Sequence, residues 1–187
     1  MAGSSSSSID MPEFPSNFNV LAIDTDLRVL EFIDKSCNEN SHKVKICSES
    51  SSAVDFLLEK EIDFHLIIME LHMPMMDGYE FLHFLDKEVI DVPFIMMSED
   101  RTVLSQEKAF KLGACDYWVK PLFEYKFLFE NKHLWSPMFR HHFHYRRIRK
   151  NIDSLEDDEI SETSYNSSEF SSDGEVEADD DSPHKKE

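Results

Sequence analysis

The chain has 187 residues, with 38 acidic and 19 basic side chains and a formal charge of −19. That length allows one domain with tails, and residues 151–187, with 14 acids and 2 lysines, carry most of the imbalance. Cys37, Cys47 and Cys115 have no paired spacing, which excludes a disulfide framework or a Cys-x-x-Cys metal site and fits a reducing compartment. No apolar run reaches the ~20 residues of a membrane span, and the opening Met1-Ala2-Gly3 and five serines lack a signal-peptide core. A soluble, intracellular chain without membrane contact is expected.

Residues 1–17 are Ser-rich and expected to be disordered. Val20-Leu21-Ala22-Ile23 is a short apolar run of strand length, and Asp24-Thr25-Asp26 then offers a helix cap. Leu27, Leu30, Ile33 and Cys37 recur at helical spacing. Lys43 to Cys47 alternates polar and apolar, the mark of an edge strand. Ser50-Ser51-Ser52 opens a helix in which Val54, Leu57, Leu58 and Ile62 are expected to face inward. Residues 64–69 are nearly all apolar, as a central parallel strand requires.

Asp77-Gly78 reads as a helix entrance, because Phe81, Leu82, Leu85 and Val89 follow as a helical stripe. Residues 93–97 form another buried strand, and residues 102–113 a helix ended by Gly113. Tyr117-Trp118-Val119 is a last short strand closed by Lys120-Pro121. An aromatic helix is expected from Leu122, broken near Ser136-Pro137. The spacing thus divides the chain into a disordered segment (1–17), a domain (18–136), a basic extension (137–150) and an acidic disordered tail (151–187).

Five strands alternating with helices predict an α/β fold with a doubly wound, flavodoxin-like parallel sheet of order 2-1-3-4-5. Its crevice lies at the carboxyl ends of the strands. The residues that leave those ends are Asp24, Glu70, Ser98 and Lys120. Carboxylates, a hydroxyl and an ammonium on one rim suit phosphoryl chemistry, in which a cation neutralises transferred charge.

These same residues carry a resemblance. Met73-Pro74-x-x-Asp77-Gly78, Met96-Met97-Ser98, Gly113-Ala114-Cys115-Asp116-Tyr117 and Val119-Lys120-Pro121 resemble, in order and distance, the receiver domain of plant response regulators, especially the type-B class. The resemblance covers about residues 18–135. It implies a phosphoacceptor aspartate where this chain has Glu70, and an acidic pair, the second member a Mg²⁺ ligand, where it has Asp24 and Thr25. Asp26 is acidic but one residue out of register, and is read as a cap. Ser98, Lys120 and the switch aromatic Tyr117 stand as in the family.

The resemblance therefore implies a pseudo-response regulator of two-component phosphorelay signalling. It would be a regulatory module with no catalytic turnover and weak or lost Mg²⁺ binding. The implied partners are other receivers, response regulators or phosphotransfer proteins, and a second copy of the chain. One alternative is a phosphorylatable regulator controlling transcription. Another takes Asp24-Thr25-Asp26 as the Asp-x-Asp of haloacid-dehalogenase-like phosphatases, with Asp24 as nucleophile.

The basic aromatic run at 140–150 suits phosphate contact or nuclear import, or is a plain helix extension neutralised by the acidic tail. His141, His142 and His144 lack partner cysteines and are not read as a metal site. A nuclear location is expected, with the cytoplasm as the alternative. In type-B proteins a Myb-like DNA-binding domain follows the acidic linker. The sequence ends at Glu187, so a truncated product or stand-alone receiver without sequence-specific DNA binding is expected.

Overall fold

A computed structural model describes residues 18–140 and 142–149. The disorder expected of residues 1–17 and 151–187 lies outside the described residues.

Five strands, β1 (Asn19–Ile23), β2 (Lys43–Cys47), β3 (Leu66–Glu70), β4 (Phe94–Ser98) and β5 (Asp116–Val119), form one parallel sheet of order 2-1-3-4-5. Helices α1 (Leu27–Glu39), α2 (Ser50–Glu59), α3 (Gly78–Lys87) and α4 (Val103–Lys111) connect them. A 3₁₀ turn (Leu122–Tyr125), α5 (Lys126–Glu130) and a second 3₁₀ turn (Lys132–Trp135) follow. Residues 136–140 and 142–149 are helical.

The two-residue period of the strands divides the core. Leu21, Ile23, Ile67, Met69 and Met96 face α2, α3 and α4, packing on Ala53, Leu57, Phe81, Leu82, Leu85 and Ala109. Val20, Ala22, Leu66, Ile68, Ile95, Met97 and Trp118 face the other way, onto Leu30, Ile33, Phe129 and Trp135. Every residue of β3 and β4 is buried, as the unbroken apolar runs foretold, whereas edge strand β2 is largely wet.

Several inward-facing residues expected from periodicity are instead exposed. Leu27 opens the first turn of α1 and points to solvent. On α2 the buried pair is Ala53 and Leu57, four apart, which turns Leu58 outward. Ile62 lies beyond the left-handed C-cap Lys60, and Val89, itself at φ 56°, lies beyond the end of α3. The chain has already turned before either reaches the core. The break expected near Ser136-Pro137 falls instead at Asn131. Pro137 sits in the first turn of a helical stretch, where its missing N–H costs nothing.

Two glycines are required by geometry. A Cβ on Gly78 would lie 3.1 Å from the Leu71 Cα and 3.4 Å from the Glu70 carbonyl, so only glycine lets α3 start this close to β3. Gly113 ends α4 at φ 103°. Asp77 caps α3 with a full capping box, its side chain on the Glu80 N–H and the Glu80 carboxylate on its own N–H.

Candidate functional site

Parallel strands end on a common rim, and four of them deliver one polar residue each. Asp24 follows β1, Glu70 and Ser98 close β3 and β4, and Lys120 follows β5. The structure brings three of them into contact. The Lys120 Nζ lies 2.5 Å from Asp24 Oδ2 and 2.5 Å from Glu70 Oε2. The Glu70 contact is an ion pair by distance, off the ideal hydrogen-bond direction. The remaining oxygens are held by main chain. Asp24 Oδ1 accepts the Asp26 N–H at 2.8 Å, and Glu70 Oε1 accepts the His72 N–H at 2.9 Å.

The cluster is nearly closed to water: the Lys120 side chain is 12% exposed, Asp24 1% and Glu70 8%. Burial works against the Lys120 ammonium, but its hydrogen bonds and charge contacts with Asp24 and Glu70 outweigh that and raise its pKa above the ordinary lysine value.

Ser98 and Tyr117 form a second group beside the first. The Ser98 Oγ accepts the Asp100 N–H at 3.1 Å, and the Tyr117 hydroxyl donates to the Asp100 carbonyl at 2.8 Å. The Lys120 N–H donates to the Ser98 carbonyl at 2.8 Å and couples the two groups through main chain. Burial pushes the Tyr117 phenol up, against a lowering hydrogen bond with Ser98, with the charge on Asp100 adding to the rise.

Thr25 is exposed and stands outside the cluster. Asp26 caps α1 through the Arg28 N–H and also holds the Arg28 guanidinium, which lowers its pKa. The cap expected from sequence is present.

Asp100 carried no signal in the sequence, being one of many surface carboxylates. It organises the β4–α4 loop by accepting from Thr102 N–H and the Ser105 hydroxyl, contacts that hold its pKa low. Ser50, read only as a helix opener, is buried and donates to the Met76 carbonyl at 2.8 Å, fixing the loop before α3.

Mg²⁺ asks for near-octahedral oxygen geometry. The two buried carboxylates here already share Lys120, and their other oxygens take backbone N–H groups. Among the described residues no three His, Cys, Asp or Glu side chains are grouped to hold a metal. As placed, these carboxylate oxygens are taken up by Lys120 and backbone N–H groups and fit a Mg²⁺ ion poorly. Burial pushes the Cys37 thiol up to about 12, Cys47 to about 11 and Cys115 to about 12, which disfavours the thiolate at each.

The family described as "Response regulator receiver domain" matches residues 20–128. Two-component response regulator ORR21 of Oryza sativa subsp. indica is 32% identical over 160 residues, which are 86% of this chain and 22% of that protein. Two-component response regulator ARR14 of Arabidopsis thaliana is 31% identical over 149 residues, 80% of this chain and 38% of that one. The chain thus spans well under half the length of these relatives. Among solved structures, a CheY-like receiver domain protein from Methanospirillum hungatei JF-1 superposes with TM-score 0.58 at 19% identity, over 67% of this chain and 98% of its own. The Francisella response regulator 1452 receiver domain gives TM-score 0.56 at 25% identity, over 66% and 98%.

Proposed function

The chain belongs to the response-regulator receiver family, and from that premise we propose that it is a pseudo-receiver: a binding module of two-component signalling that does not accept a phosphoryl group. One observation carries the reading. Lys120 Nζ, the cation that would meet an incoming phosphoryl group, is already shared by Asp24 and Glu70. Glu70 stands at the position the family resemblance assigns to the phosphoacceptor aspartate. Its longer side chain reaches the ammonium directly and brings one negative charge where a phosphate brings nearer two. Thr25 is neutral and exposed, so it adds no further carboxylate to Asp24 and Glu70, which already share Lys120, to draw Mg²⁺. In-line transfer needs a free, well-placed nucleophile, and both Glu70 oxygens are engaged. Mg²⁺ binding is therefore weak or lost. Family membership favours the receiver reading over the phosphatase one, as do the contacts of Asp24 and Asp26, an ion-pair partner and a helix cap.

The partners proposed are phosphotransfer proteins, other receivers or response regulators, and a second copy of this chain. The segments α4, β5 and α5 suit them, with Val103 and Leu104 exposed on α4, Phe123 on the 3₁₀ turn after β5 and Phe127 on α5. We propose a nuclear location, with the cytoplasm as the alternative, and regulatory work without catalytic turnover.

The test is incubation with a labelled phosphohistidine phosphotransfer protein and Mg²⁺. No hydroxylamine-sensitive label is expected on the wild type, and label mapped to Glu70 would make the chain a phosphorylatable receiver. Thr25→Asp with Glu70→Asp should restore transfer beyond the sum of the two single changes, because both act on one site.

A further inference from the structure

The last helical stretch turns its charges inward. His142, Tyr145, Arg146 and Arg149 follow i, i+3, i+4, i+7 spacing and face the domain, while Phe143, His144, Arg147 and Ile148 are exposed. Each inward group is matched. His142 Nε2 lies 2.9 Å from Asp91 Oδ1. Arg146 reaches Asp86 Oδ1 at 2.6 Å and Asp91 Oδ1 at 3.3 Å, and Arg149 reaches Asp86 Oδ2 at 3.1 Å. The Tyr145 hydroxyl donates to the Lys111 carbonyl at 2.7 Å. Its ring lies against Gly113, where an added Cβ would meet Cε1 at 3.3 Å. The end of α3, the α3–β4 loop and the end of α4 are thereby tied to the basic run. The structure shows Asp86 and Asp91 of the domain as partners of that run, and the acidic tail that the sequence offered as its neutralising partner lies outside the described residues.

We propose that this docking is an autoinhibitory contact, and that residues 140–149 are a recognition segment for a carboxylate-rich protein surface. Asp86 and Asp91 hold the same guanidinium groups such a partner would need, so docking and partner binding exclude each other. The internal ligand states the chemistry: two protein carboxylates spaced for arginines one turn apart. Phe143 and Ile148, exposed on the outer face, add apolar contact area of the kind a protein surface uses. A net charge of −19 opposes any polyanion at long range, acidic protein and nucleic acid alike, so the exposed Phe143 and Ile148, and not the charge, favour a protein surface over nucleic acid. A segment free only a fraction of the time binds more weakly by that fraction.

The experiment uses the full chain as wild type, as Asp86→Asn/Asp91→Asn and as Arg146→Gln/Arg149→Gln. The probes are a fluorescent hexaglutamate peptide and, separately, duplex DNA. Amide hydrogen exchange is followed across 142–149. The aspartate variant should exchange faster there and bind the peptide about 10-fold more tightly than wild type, the gain expected when docking no longer taxes binding. The arginine variant should exchange equally fast and gain no peptide affinity, which separates release of the helix from loss of its cations. If the aspartate variant fails to fold, exchange in the arginine variant still decides whether the ion pairs hold the helix. Unchanged exchange in the arginine variant, or faster exchange in the aspartate variant without a gain in peptide binding, overturns the proposal. A gain for DNA equal to or above that for peptide overturns the assignment of a protein partner. None of these outcomes depends on whether Glu70 accepts phosphate.

Discussion

Both ends of the sheet carry ion-pair clusters, and they are built in opposite ways. At the carboxyl ends one buried cation, Lys120, serves two buried carboxylates, Asp24 and Glu70. At the other end two half-exposed carboxylates, Asp86 and Asp91, serve Arg146, Arg149 and His142 from a helix that begins past the last strand. A buried cluster pays a desolvation cost that only a complete set of partners offsets, so losing one member leaves uncompensated charge. A cluster whose carboxylates reach solvent, as Asp86 and Asp91 do although Arg146 and His142 are largely covered, can trade those partners for water and salt ions at lower cost. The first arrangement suits a fixed state and the second a contact that opens.

Removing the shared cation should have the largest effect. Lys120→Met leaves two carboxylates side by side out of water and is expected to cost about 3–5 kcal/mol at pH 7. The wild type carries a pH dependence through the same cation. Its Lys120 pKa is raised on folding, so the contribution is complete below the unfolded lysine value of about 10.5 and is lost as pH climbs through the higher folded value. Urea unfolding of both proteins from pH 7 to 11 checks the size of the loss and the sign of the lysine dependence. A Lys120→Met loss under ~1 kcal/mol would mean that the cluster is not a closed charge network.

Glu70→Gln is the next smaller change. It keeps the Lys120–Asp24 pair and the acceptor for the His72 N–H, and should cost about 1.5–3 kcal/mol, the range of one polar contact with a charged group. The same variant reports on the switch. If Glu70 holds the Ser98–Tyr117 group in place through Lys120, the Tyr117 and Asp100 amide resonances should shift. Unmoved resonances would confine Glu70 to its local ion pair.

The upper cluster was legible in the sequence because each member directly follows an apolar strand. Asp24, Glu70, Ser98 and Lys120 could be placed on one rim by topology alone. The lower cluster was not. Arg146 meets Asp86 from 60 residues away and His142 meets Asp91 from 51, and both aspartates sit in ordinary polar stretches with no periodicity to mark them. Asp100 escaped notice for a related reason: Tyr117 reads its backbone carbonyl, which every residue has. Exposed Leu27, Leu58, Ile62 and Val89 show where helical periodicity misleads, since apolar residues at a helix end or past a turn extend the pattern without sharing the buried face.

Opening the lower cluster should be mild and salt-dependent. Asp91→Asn removes a carboxylate that is 39% exposed and is expected to cost less than about 1 kcal/mol at low salt, falling toward zero near 1 M. Lys120→Met should keep its penalty at the same salt, because a buried cluster is screened far less. Thermal melts of both variants across ionic strength make the comparison directly. Equal salt sensitivity would erase the distinction between the two ends.

The smallest effect on stability should come from the aromatic surface beside the upper cluster. Phe127 is 50% exposed and Phe123 63%, whereas Phe129, two residues on, is fully buried against Trp118 and Trp135. Helical geometry separates their duties: Phe129 fills the core, while the other two leave rings in water with no packing role of matching size. Phe127→Ala should therefore change unfolding free energy by only about 0.5 kcal/mol, the range of surface substitutions. Phe129→Ala should cost about 3–5 kcal/mol. If the exposed rings are an interface, Phe127→Ala should still abolish self-association in sedimentation or capture of another receiver, while Glu70→Gln weakens either by shifting the switch that shapes this face. A wild type monomeric at every concentration and without affinity for a second receiver would remove the interface. Self-association indifferent to Glu70→Gln would keep the interface and cut its link to the Lys120 cluster.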